Sequence, residues 1–177
     1  MSILEILGFR REGPRAGAGE TETVRRIVGE LESLPPETAR YVAAFAFILA
    51  RVAHADLEIS VEETHRMEQI LQALGHLSAE QARLAVKLAE AQHHVAGGTE
   101  SFLVTREFRE IATREQCSEL LDCLFAVSAA DDSISGAEEA QIRQIASELG
   151  FSLGELSAIR AGYADKRAIL KGFGNRV

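Results

Sequence analysis

Displaced by 75 residues, the chain overlays itself, and this constrains its fold more than any other feature. Phe45, Ile48, Leu49 and Val52 fall on Leu120, Cys123, Leu124 and Val127. Ala55-Asp56 falls on Ala130-Asp131, Ile59-Ser60 on Ile134-Ser135, and Glu63 on Glu138. Met67, Ile70, Leu74 and Gly75 fall on Ile142, Ile145, Leu149 and Gly150. In both copies apolar residues recur at i, i+3, i+4 and i+7, the spacing of one helix face. Each copy therefore reads as two helices joined by a short acidic loop. The period is too long for the common helical solenoid repeats. Two related helix–loop–helix units within one domain are expected.

Composition agrees with an all-α reading. Of 177 residues, 46% are hydrophobic and 26% charged, with 6% aromatic, no Trp and 3 Pro. Ala, Leu and Glu are abundant, and these favour helix over strand. The periodicity predicts a compact bundle of seven to eight helices. They span about 21–34, 36–55, 60–74, 78–93, 101–111, 115–130, 135–149 and 153–163. Pro36 sits near a first helical position, and Gly75 and Gly150 are read as helix C-caps. Gly97-Gly98 reads as the end of the fourth helix. Residues 1–20 read as an N-terminal segment and a Gly-rich linker, and residues 21–177 as a single helical domain with its core at about 35–165.

The formal net charge is -8. A surface that acidic repels phosphates, so a nucleic-acid partner is not expected. No run approaches the ~18 apolar residues of a membrane span. Residues 1–9 carry an apolar stripe without a basic flank before it, which is not a secretory leader. The stripe gives too little area for firm attachment to a membrane surface. Cys117 and Cys123 lie on different faces of one predicted helix and cannot bridge there, which suits a reduced, cytoplasmic setting. Cys123 occupies the place of Ile48, so it reads as a small buried hydrophobe.

The doubled element is Ala-Asp-x-x-Ile-Ser-x-x-Glu, after an apolar helix and before Met/Ile-x-x-Ile-x-x-x-Leu-Gly. It resembles the TerB-like family, which includes tellurite-resistance TerB proteins and the related N-terminal region of a membrane-anchored J-domain co-chaperone. The resemblance covers about residues 35–165. Both copies lack the glycine that usually follows the aspartate; Leu57 and Asp132 stand there. The resemblance implies an all-helical fold of about seven helices and a role in stress or metal-ion response. It also implies a cation-binding surface at the acidic positions.

The residues of the element admit two readings. Ser60 with Glu63, and Ser135 with Glu138, have the spacing of capping boxes. In such a box the Ser hydroxyl accepts from an N3 amide and the Glu reaches back to the Ser amide. Ile59 and Ile134 then act as hydrophobic staples. Asp56 and Asp131 are different, because a carboxylate just past a helix C-terminus faces the negative end of the macrodipole. An Asx-turn, a partner contact or a bound cation would each compensate. Asp56, Glu58, Asp131 and Asp132 offer the hard oxygens that Ca²⁺ or Mg²⁺ prefers. An EF-hand is not expected, since Val52 and His54 stand where its first carboxylates belong and Leu57 replaces its glycine. Any cation should bind weakly. His54 and His65 flank the first acidic loop, but Ala129 and Ala140 replace them in the second.

No nucleophile elbow, phosphate loop, H-E-x-x-H or dinucleotide fingerprint occurs. The expectation is a non-enzymatic stress-response module that binds a divalent cation or a protein partner through its acidic loops. The alternative is a ligand-free helical adaptor whose motif acids only cap helices.

Overall fold

The computed structural model describes residues 26–52, 61–91, 98–129 and 134–173. Among them are eight helices and no strand: α1 (26–32), α2 (Pro36–Val52), α3 (Val61–Ala73), α4 (Ala79–Ala91), α5 (Gly98–Ile111), α6 (Arg114–Ser128), α7 (Gly136–Glu148) and α8 (Leu153–Phe173). The bounds of α3 and α7 differ by the same 75 residues at both ends. The residues preceding α3, 53–60, lie outside the described residues, as do 92–97 and 130–133.

Helix α2 forms the axis. It packs against α4 and α5 and also touches α6 and α7. The repeat predicts one apolar face, Phe45, Ile48, Leu49 and Val52; the structure instead buries every residue from Val42 to Val52. A helix that is apolar all round has to be surrounded. The small side chains of Ala43, Ala44, Ala46 and Ala50 leave space for neighbours on the faces that Phe45 and Ile48 do not fill. Phe45 packs edge-on to Phe108 of α5, with ring centroids 6.1 Å apart.

The corresponding residues of the repeat meet in one core. Met67, Ile70 and Leu74 are buried, as are Ile142, Ile145 and Leu149. Cys123 is fully buried, as expected of a residue in the place of Ile48. Helix α8 closes the far side by packing on α6 and α7. Its Tyr163 stacks on Phe125 at 6.4 Å. This helix continues to Phe173 and so takes in most of the basic tail from Ala164, for which the sequence leaves an extension of the last helix open.

The two repeat-matched glycines have different roles. Gly150 has φ 82. Its N–H donates to the Ser147 carbonyl at 3.0 Å and the Phe151 N–H to the Ala146 carbonyl at 2.8 Å, a Schellman cap. Gly75 is not the left-handed residue after α3; His76 is, at φ 50. Gly75 is needed for close approach. A Cβ there would lie 2.8 Å from the Leu71 carbonyl oxygen and 3.1 Å from Cys123 Sγ. Gly98 also departs from expectation. It opens α5 and does not end α4.

Gly75→Ala should therefore lower stability by about 1–3 kcal/mol, the usual cost of overpacking a tight contact. Urea denaturation of the variant checks this. A midpoint equal to that of the wild type would show that α3 and α6 can separate without cost.

Candidate functional site

Four helices begin with the same device. Ser78 with Gln81, Thr113 with Gln116, Ser135 with Glu138 and Ser152 with Glu155 each exchange side-chain and backbone hydrogen bonds. At α7 the Ser135 N–H donates to Glu138 Oε2 at 2.7 Å, and the Glu138 N–H donates to Ser135 Oγ at 3.2 Å. Ile134, just before the cap, packs against the core. The connections that lead to Ser78, Thr113 and Ser152 (residues 74–77, 112 and 149–151) contain no acidic residue. The Ser-x-x-Glu spacing at 135 thus serves α7 as equivalent spacings serve helices that follow no acidic loop.

Of the other acidic-motif residues, Asp56, Glu58, Ile59, Ser60, Asp131 and Asp132 lie outside the described residues. Glu63 lies in the first turn of α3. Among the described residues no cluster of three or more His, Cys, Asp or Glu is placed to hold a metal. His65 faces Glu68 at 3.7 Å, and His76 Nδ1 lies 2.7 Å from Glu119 Oε1. His54, His93 and His94 are outside the described residues. Cys117 is buried. Burial pushes its thiol up, against the opposing charges of Arg114 and Arg109, so it is a poor nucleophile.

The structure brings together a polar centre that periodicity does not reveal. Arg51, on the last turn of the buried α2, has a side chain only 6% exposed, and that of its partner Glu148 on α7 is 7% exposed. Two parallel bonds join them: Arg51 Nη1 to Glu148 Oε2 at 2.8 Å and Nη2 to Oε1 at 3.3 Å. Nη1 also donates to Thr105 Oγ1 of α5 at 2.7 Å, and that hydroxyl donates to the Ser101 carbonyl at 3.0 Å. Gln144 donates to the remaining side of Glu148 at 3.0 Å. One cation thus joins the end of α2, the N-terminal half of α5 and the end of α7. The only visible sequence signal is a lone arginine within the apolar run Phe45–Val52. Burial pushes the Glu148 carboxyl up, but the hydrogen bonds and charge of Arg51, with Gln144 and Thr105, outweigh it and hold the group below the usual carboxylate range.

Two further arginines meet the same helix end. Arg114 donates to the Gly150 carbonyl at 3.1 Å and to Glu155 Oε1 at 2.6 Å, and its guanidinium lies 3.5 Å from the Phe151 ring centroid. The Arg109 guanidinium lies over Gly150, 3.0 Å from where a Cβ would stand. Cations belong at this negative pole. Glu155 accepts from the Ser152 backbone N–H, the Ser152 hydroxyl and Arg114, which together pull its carboxyl down to about 2.

These helices, caps and buried polar centre define an all-α domain of the kind the doubled acidic element implies. Its sequence matches the family described as tellurite resistance protein TerB over residues 41–161. The chain belongs to the TerB family. No curated protein and no solved structure matches it.

Arg51→Met strands a buried carboxylate and should cost about 3–5 kcal/mol, whereas Arg51→Met with Glu148→Met should recover most of that loss. The Glu148 carboxyl is lowered in the folded state, so its contribution is present above the ordinary unfolded pKa and disappears as pH falls through the folded value. The double variant should lack this acid-side component in urea midpoints measured from neutral pH downwards. Independently, carbon-detected NMR should find Glu155 titrating near 2, with Arg114→Met moving it up towards the ordinary value. An ordinary titration in the wild type would rule out the hydrogen-bonded cap in solution.

Proposed function

We propose that this chain is a non-enzymatic, tellurite-resistance-type stress-response module of the cytoplasm. It binds a divalent cation weakly through Asp56 and Glu58 in one acidic loop and Asp131 and Asp132 in the other, or meets a protein partner there. The observation that carries the reading is the TerB match over residues 41–161, a span that includes both acidic stretches. The caps narrow the donor set. Ser135 and Glu138 already satisfy each other's backbone amides, so their use as ligands would cost α7 its cap, about 1 kcal/mol. Oxygen ligands of this type suit Ca²⁺ or Mg²⁺ and give weak affinity when few carboxylates contribute. No chemistry is assigned to a nucleophile or general base, because the sequence contains no catalytic motif. Among the described residues no helix is long and apolar enough to cross a membrane.

A second reading, a ligand-free helical adaptor, is favoured by the capping boxes at Ser78, Thr113 and Ser152, which need no acidic loop. The two readings separate in thermal melts of chelator-treated protein with and without millimolar Ca²⁺ or Mg²⁺. A cation that binds only the folded chain raises the melting temperature by mass action. Asp56→Asn with Asp131→Asn should abolish that rise while leaving the metal-free melt unchanged or slightly higher, since a charge facing the macrodipole is removed. No rise in the wild type with either ion would leave the adaptor.

A further inference from the structure

We propose that the groove between α5 and α7 is a docking site for a short acidic amphipathic peptide segment of a partner protein, independent of the acidic loops. The groove has a volume of about 610 Å³ and is lined from α5 by Phe102, Arg106, Arg109 and Glu110 and from α7 by Ser147 and Glu148. That volume is within the range of ligand-binding clefts. Its α5 side carries a large apolar side chain left in water, Phe102 at 48% exposure, and the next residue of the helix, Leu103, is 55% exposed.

Charge decides the occupant. Glu148 is neutralised from beneath by Arg51 at 2.8 Å. Glu110 is paired with Arg106 at 3.4 Å, with both side chains about two-thirds exposed, a contact weak enough to be exchanged for a better acceptor. Among the described residues Arg109 has no ion pair, and its guanidinium is held over Gly150 at the negative end of α7. The groove therefore keeps an excess cation on a chain whose net charge is -8. A carboxylate on the incoming segment would meet Arg109, a guanidinium suited to two-point recognition. Apolar side chains one helical turn away would cover Phe102 and Leu103. An anionic membrane is the poorer fit. Two groove arginines set against an acidic surface give little attraction to it, and a concave groove does not match a plane.

The test uses the full chain and a fluorescein-labelled 12-residue peptide of Glu, Leu and Phe in amphipathic order. A counterpart with Lys for each Glu, and phosphatidylserine vesicles, serve as the other probes. The acidic peptide should bind by anisotropy and shift the amide resonances of Phe102, Leu103, Arg106, Arg109 and Ser147. Arg109→Glu should weaken binding about tenfold or more, as loss of a paired charge does, and Phe102→Ser should weaken it as well. Phe102 is exposed, so the thermal melt of Phe102→Ser should match wild type; Arg109→Glu also sets a like charge at the negative pole of α7 and should melt slightly lower, so Arg106→Glu, whose side chain is 65% exposed, provides a second charge reversal. Asp56→Asn with Asp131→Asn should leave peptide affinity unchanged, which separates this site from the cation reading. Absence of binding, equal binding of the Lys peptide, shifts mapping elsewhere, or unchanged affinity in both charge reversals would each overturn the proposal. Vesicle binding lost in Arg109→Glu without peptide binding would assign the face to a membrane instead.

Discussion

The rest of the fold depends on the complete burial of α2. Eleven consecutive residues, Val42 to Val52, are buried, so the helix needs neighbours on every side. Helices α4 and α5 cover one part of its surface, and α6 and α7 approach the remainder. Apolar area gained on each face drives this arrangement, and the alanines on α2 let its neighbours pack closely. Most of this cover comes from α4 and α5, which lie between the two repeat units in sequence, and α6 and α7 of the second unit complete it.

Burying the axis to its last turn also buries Arg51. An unpaired cation there would be expensive, and the fold answers it with Glu148, Thr105 and the carbonyl of Ser101. The same ion pair relieves Glu148, whose carboxylate otherwise faces the negative pole of its own helix. Arg109 and Arg114 complete the neutralisation of that pole from outside. The end of α7 is consequently a corner where three arginines converge, and the groove lies beside it.

The acidic element has two physical components. Its Ser-x-x-Glu part at 135 is a capping box of the same kind as three others in the chain. Its aspartates have no equivalent before those other helices, so any ligand role rests on them. TerB family membership attaches to both components together, and only substitution of the aspartates alone separates them.

Much of this was legible in the sequence because it depends on local geometry. Helical periodicity, the start of α2 at Pro36, the box at Ser135 and the left-handed cap at Gly150 each involve residues within one or two turns of each other. Local chemistry misjudged Gly75. Its match to Gly150 in the repeat suggests a cap, whereas its lack of a side chain serves contact with Cys123 on α6, and His76 takes the positive φ. The one-faced reading of α2 failed for a related reason: periodicity measures the contrast between faces, and a helix covered on all sides can keep a contrast that burial ignores. The ion pair of Arg51 and Glu148, 97 residues apart in sequence, and the groove of α5 and α7 left almost no sequence signal. Local order follows from spacing along the chain, but which distant charges share one buried volume is decided only when the helices pack.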